Sequence, residues 1–195
     1  QKILNENIGS QDQIASAFGG FNSIEFNNKN FDVKKIIAPK KEILDLEKSI
    51  LLVNTGISRY SKFIEKEKIK NIKKNHSDYL ELYSLCKEAK QNINVSNNMK
   101  KNLSYYINES WKIKKKLAKD VSNNFLDKLC NYGLKNGAIA GKLLGSGSGG
   151  FMMFIAENQK SKINLKKKLN KYICIDLRFD LNGSRIISNL HDPYR

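Results

Sequence analysis

Apolar positions along the chain follow two rhythms, and the switch between them outlines the fold. Residues 1–7 read as the end of a helix, and "GSQDQ" turns into a short helix that reaches about Phe18 and stops at Gly19-Gly20. "FNSIEF" and "FDVKKI" then alternate apolar and polar residues around "NNKN", which predicts a hairpin. "IAPKKEI" (37–43) marks a change of pattern at Pro39, and "SILLVNTG" (49–56) reads as a buried strand. From Ser58 to about Leu134, Ile and Leu recur every three or four residues through 60–74, 76–90, 98–119 and 122–134, which predicts helices. After "GLKNGAIAGKLLGSGSGG" the period returns to two. "GFMMFIA" is then a strand, "NQKSKINLKKKLNK" a helix, "YICIDLRFD" a strand, and "GSRIIS" the strand that completes the sheet. This order predicts an α+β fold, a small antiparallel sheet with helices packed on one face.

Composition narrows the class. With 195 residues, 40% of them hydrophobic, the chain can bury a real core. No apolar run approaches the roughly 18 residues of a membrane-spanning helix, and "FMMFIA" and "ILLV" are strand-sized. The N-terminal "QKILNENIGS" has neither a basic nor an apolar leader region and no initiator Met, so the chain is expected to be a piece of something longer. Cys86, Cys130 and Cys174 are far apart and form no CxxC pair. With only His76 and His191 beside them they suggest neither zinc nor disulfides, and they suit a reducing cytoplasm.

The formal charge of +16 invites a nucleic-acid partner, but the kind of charge argues against one. Of the 35 basic residues 31 are Lys and four are Arg, and there are 24 Asn, a bias typical of AT-rich coding. Base and phosphate recognition favours the planar fork of Arg, and here the lysines scatter over several helices without interleaved aromatics. Solvated helix faces account for them, and no membrane partner is implied.

Two stretches carry candidate chemistry. "GSGSGG" (145–150) formally matches GxGxxG, yet a strand follows it where a dinucleotide site needs a helix, and no GK[ST] follows for a Walker loop. What remains is either a plain hairpin or a glycine turn whose N–H groups receive an anion or whose bareness admits a neighbouring loop. The second stretch is "IGSQDQIASAFGGFNSIEF" (8–26), in which Asp12 sits between two glutamines ahead of small residues. Helix capping explains it on local pattern.

Several stretches together resemble the GHMP kinase family. "GKLLGSGSGGFMMF" (141–154) is similar to that family's C-terminal glycine-rich motif, and "GSQDQIASAFGGFNSIEF" to the segment in which its sugar-1-kinases hold a catalytic aspartate. "LLVNTGISRYS" (51–61), "NESWKIKKKL" (108–117) and "FDLNGSRII" (179–187) resemble the branch acting on D-glycero-D-manno-heptose 7-phosphate. The resemblance spans nearly the whole chain. The family's N-terminal PxxxGLGSSA-type phosphate loop has no counterpart here.

The resemblance therefore implies the tail of the N-terminal kinase domain in residues 1–40 and the C-terminal kinase domain in 41–195. It implies ATP-dependent phosphorylation of the anomeric hydroxyl of a sugar phosphate, for surface-polysaccharide precursors. The substrates are then the sugar phosphate and ATP with Mg2+, whose protein ligands are expected upstream, with none in this chain. Asp12 is the implied catalytic residue. It would orient the hydroxyl and take its proton as it attacks the γ-phosphorus, late enough in a loose transition state for a weak base to serve. Gly145, Ser146, Gly147, Ser148, Gly149 and Gly150 are the implied ATP-phosphate loop. Gln11, Gly19 and Gly20 are implied substrate neighbours of Asp12, while Arg59 and Lys115 (with Lys114 beside it) are implied phosphate ligands. Asn108 stands where the branch tends to have His, and the loop reads "GSGSGG" for the usual "GAGGGG". Another anomeric kinase, of the fucose or galactose type, and a non-catalytic basic binding protein are the competing expectations. The 195-residue chain by itself is expected to be inactive.

Overall fold

The computed structural model describes residues 9–27, 30–57, 61–93 and 98–187, which form two compact units. Arg59 and the helix end expected in residues 1–7 lie outside the described residues.

The larger unit runs from Ala38 to Leu177. Its centre is a four-stranded sheet in the order β4-β5-β3-β6, antiparallel at every pairing, from β3 (Ile50–Asn54), β4 (Ala138–Leu143), β5 (Phe151–Ala156) and β6 (Cys174–Asp176). Helices α2 (Lys40–Ser49), α3 (Ser61–Lys70), α4 (His76–Asn92), α5 (Met99–Lys114), α6 (Asn124–Lys135) and α7 (Gln159–Lys168) surround it. The expected helical stretch is there, broken close to the predicted places. Helix α2 lacks a reading in the sequence pattern: it starts directly after Pro39, whose fixed φ of −56° suits the residue before a helix.

One face of the sheet is the core. Leu51, Val53, Met152, Phe154 and Leu143 meet Leu126, Leu129 and Cys130 of α6 and Leu165 of α7, all buried. Phe154 is wholly buried, and Gly133 of α6 makes room for it: a Cβ there would lie 2.2 Å from the ring. Truncating such a ring to Ala costs about 3–5 kcal/mol. Both α6 and α7 are pinned at their starts, where Asn123 and Asn158 accept the N–H groups of Leu126 and Ser161. Leu52, Met153 and Phe151 point to the other face and are half-buried.

β4 is an edge strand, and a register shift between Ala138 and Ala140 marks an irregularity in its pairing with β5. Asn108 of α5 covers that edge. Its Nδ2 donates to the Ile139 carbonyl (2.9 Å) and its Oδ1 accepts from the Gly141 N–H (3.2 Å), so one side-chain amide stands in for a neighbouring strand. The polar residue that departs from the expected His thus has a packing role in this chain.

Among the described residues the smaller unit comprises 9–27, 30–37 and 178–187, so residues after Leu177 join others far from them in sequence. It holds α1 (Gln11–Phe18) and a hairpin of β1 (Asn22–Phe26) and β2 (Phe31–Lys35), as the alternation predicted. Of the predicted C-terminal strands, "YICIDLRFD" pairs only over Cys174–Asp176, and residues 185–187 of "GSRIIS" form no strand. Residues 178–187 belong to the other unit, and Ile186 and Ile187 are exposed, so that alternation has no strand partner or apolar face among the described residues.

Candidate functional site

In the smaller unit, α1 carries Asp12 in its first turn. Ser10 occupies the N-cap position without a side-chain cap bond, and Gly19 ends the helix at φ +62° with its N–H on the Ala15 carbonyl. Asp12 is exposed, and its carboxylate makes no hydrogen bond or ion pair among the described residues. Capping does not account for it. Gln11 stands beside it and is exposed as well. At the other end of α1, the Gly20 N–H donates to the Asp180 carbonyl (2.7 Å), and Asn22 Nδ2 to the Gly19 carbonyl (2.8 Å).

In the larger unit, the glycine run is topologically the β4–β5 hairpin loop, but its conformation exceeds what a hairpin needs. Gly145, Gly147 and Gly150 have φ of +71°, +122° and +92°, and Ser148 has +66°. A serine in this region is strained by roughly 1–2 kcal/mol. Two bonds hold it there: its N–H donates to the Val121 carbonyl (3.0 Å) and its hydroxyl to the Asp120 carbonyl.

Bare backbone lets two neighbours close on the loop. A Cβ on Gly147 would fall 2.8 Å from Val121, and one on Gly149 2.4 Å from the Ile57 carbonyl oxygen. The turn after β3 is laced to the same loop. Thr55 donates from both N–H (2.9 Å) and Oγ1 (2.8 Å) to the Gly150 carbonyl, and the Gly150 N–H returns to Ile57 O (3.0 Å). Thr55 Oγ1 also accepts the Ile57 N–H (3.3 Å), and Asn54 Oδ1 accepts that of Gly56 (2.9 Å).

Two lysines hold carbonyls of the loop. Lys68 Nζ of α3 donates to the Ser146 carbonyl at 2.8 Å, and Lys114 Nζ of α5 to that of Gly145. The Ser148 and Gly150 N–H groups are bonded to Val121 and Ile57, whereas those of Gly145, Ser146, Gly147 and Gly149 have no acceptor among the described residues. The loop and the β3 turn border an open cavity of about 630 Å³ whose other walls include Leu52, Asn54 and Phe151. Carbonyls held by lysines and N–H groups left without an acceptor, beside an open cavity, make an arrangement that suits an anion.

Lys115 is engaged differently. Its Nζ pairs with Asp127 Oδ1 at 3.1 Å and lies 5.9 Å from the ring centre of Trp111, while Ser122 Oγ donates to the same carboxylate oxygen (3.0 Å). Any added phosphate would compete with Asp127 for it. Among the described residues no three His, Cys, Asp or Glu converge to hold a metal ion, and no helix is long and apolar enough to cross a membrane.

Sequence reasoning missed Thr55, Lys68 and Lys114 as supports of the glycine loop. The "NTG" turn after an apolar strand was a usable signal for Thr55. Nothing singled out Lys68 among 31 lysines, and Lys114 was expected at a phosphate of the sugar rather than at the loop.

Known proteins resemble this chain in sequence and fold. The family described as GHMP kinases C terminal matches residues 69–173, within the larger unit. The D-glycero-alpha-D-manno-heptose 7-phosphate kinase of Campylobacter jejuni subsp. jejuni is 35% identical over 170 residues, covering 84% of this chain and 48% of that protein. The chain belongs to the GHMP kinase family. It spans about half the length of that relative. A crystal structure of a Campylobacter jejuni protein assigned as a sugar kinase is 33% identical with a TM-score of 0.60, over 90% of this chain and 50% of that one. A D-glycero-D-manno-heptose 1-phosphate kinase from Bacteriodes thetaiotaomicron shares the fold at 24% identity and a TM-score of 0.59, over 93% of this chain and 50% of that one. The mixed helix-and-sheet architecture is that of a GHMP kinase C-terminal domain, as the sequence reading expected.

Proposed function

We propose that this chain supplies the C-terminal part of an ATP-dependent sugar kinase, acting on the anomeric hydroxyl of D-glycero-D-manno-heptose 7-phosphate to make the 1,7-bisphosphate for surface polysaccharide. The observation that carries this reading is the 35% identity to the Campylobacter heptose 7-phosphate kinase across 84% of the chain. In it, Asp12 orients the attacking hydroxyl and accepts its proton late in a loose transition state. The N–H groups of Ser146 and Gly149, which have no acceptor among the described residues, bind phosphate oxygens, and the neighbouring glycines keep side chains out of the way. Arg59 and Lys115 would serve the distal phosphate of the sugar, and Gln11, Gly19 and Gly20 the sugar side of Asp12. ATP with Mg2+ supplies the phosphoryl group when bound. The enzyme works in the cytoplasm, where that nucleotide is.

The test is phosphate transfer by the complete coding sequence, assayed against heptose 7-phosphate, fucose and galactose with ATP. Formation of the heptose 1,7-bisphosphate supports the reading, and transfer only to fucose or galactose replaces the substrate. Absence of any transfer, together with salt-dependent binding to generic DNA, favours a basic binding protein. Purified residues 1–195 should show no transfer above background. Turnover by that piece would place the whole nucleotide site within it.

A further inference from the structure

The glycine loop rests on two ammonium groups from different helices, and their geometry differs from that of a solvated lysine run. Lys68 is buried, its side chain only 10% exposed, although it is charged. Its Nζ has two partners, Glu65 Oε1 and the Ser146 carbonyl, each at 2.8 Å. Glu65 is 25% exposed and sits one turn earlier on α3. Lys114, at the end of α5, reaches the adjacent carbonyl of Gly145. Consecutive carbonyls are thus drawn toward the protein, each by a cation. Burying an ammonium is costly, and a loop needing only mechanical support can use neutral donors.

We infer that Lys68 and Lys114 form a cationic cradle for the glycine loop: they hold the carbonyls of Ser146 and Gly145, and their charge strengthens anion binding at the loop N–H groups that have no acceptor among the described residues. Both are positioning residues, since they act through the loop. The inference rests on the reading of this loop as a phosphate site. Glu65 is the opposing element, because its carboxylate offsets part of the charge that Lys68 brings.

That opposition provides the test, in the complete kinase. Lys68→Met should raise the KM for ATP about tenfold, the size of a lost hydrogen bond to a charged group, with a much smaller effect on the KM for sugar. Lys114→Met should act in the same direction, and Lys68→Arg should restore most of the loss. Glu65→Gln should lower the KM for ATP. In parallel, hydrogen exchange at the bonded Ser148 and Gly150 amides should quicken in Lys68→Met and not in Glu65→Gln. A cradle is overturned if Glu65→Gln harms ATP binding as much as Lys68→Met, which would make the pair a structural ion bridge. It is also overturned if neither Lys68→Met nor Lys114→Met moves the KM for ATP. Should Lys68→Met fail to fold, Lys114→Met and Lys68→Arg carry the same comparison. If the wild-type protein transfers no phosphate, the kinase reading fails. The exchange comparison, repeated with and without inorganic pyrophosphate, then decides the cradle by itself.

Discussion

Gly19 and Gly183 face each other with no space for a side chain on either. A Cβ on Gly19 would stand 2.1 Å from the Gly183 nitrogen, and one on Gly183 2.3 Å from the Ala17 carbonyl oxygen. Both residues have positive φ, +62° and +67°. The Ser184 N–H donates to that same Ala17 oxygen at 3.0 Å. Asp180 shapes the approaching turn, its Oδ1 accepting the N–H groups of Asn182 (2.8 Å) and Gly183 (3.3 Å), bonds that hold its carboxyl below the usual carboxylate range. A segment from the end of the chain thereby fastens the end of the helix that carries Asp12.

Gly183→Ala should therefore destabilise the smaller unit by about 1–3 kcal/mol, through backbone clash and an unfavourable φ. Thermal unfolding should show a lower Tm, and protease cleavage near residues 17–20 should accelerate. An unchanged Tm and cleavage pattern would mean that the close approach is absent in solution.

Asp12→Asn separates catalysis from folding. The carboxylate has no partner among the described residues, so the variant should melt within a degree or two of wild type. In the complete kinase, turnover should fall about 10²–10⁴-fold, the size of a lost general-base contribution, with sugar and ATP affinities much less affected. Near-normal turnover by the Asn variant would remove Asp12 from the chemistry.

Gly149→Val tests the apposition of the two loops. The new Cβ would meet the Ile57 carbonyl oxygen at 2.4 Å, and Ile57 cannot retreat without losing its bond from the Gly150 N–H. The sheet core lies behind the loop, so the domain should stay folded by circular dichroism while turnover of the complete kinase is abolished. Retained activity would reduce the loop to a connecting hairpin.

Asp176 gives a pH signature. Hydrogen bonds from Lys162 and Lys166 of α7, at 2.8 and 2.9 Å, hold its carboxyl below the ordinary value and tie edge strand β6 to the helix. Its folded pKa is below the unfolded one near about 3.9, so its contribution is present above that pH and is lost as the pH falls through the folded value. Comparing Tm against pH for wild type and Asp176→Asn should show a gap at pH 6 that closes in acid. A gap independent of pH would assign the effect to packing.

Much of this protein was legible one segment at a time. The β1–β2 hairpin, the helical stretch from α3 to α6 and the strand "FMMFIA" follow from periods of two and 3.6, because the burial of one face imposes that spacing locally. Gly19 as a helix end followed from its freedom at positive φ. The family could be read as well, since its motifs lie in contiguous stretches.

The remainder depended on which distant residues meet. α2 lacked a strong enough pattern beside Pro39, and "GSRIIS" alternates like a strand yet forms none in residues 185–187. Asn108 became an edge cover only because α5 lies along β4, which no local spacing states. The glycine loop announced its bareness in six residues; that Ile57 and Val121 fill the space, and that Lys68 and Lys114 hold its carbonyls, was settled by tertiary packing. Periodicity records which face of a segment is buried. Which neighbour buries it is decided by the summed contacts of the whole fold, where individual pairs far apart in sequence leave no mark on either segment.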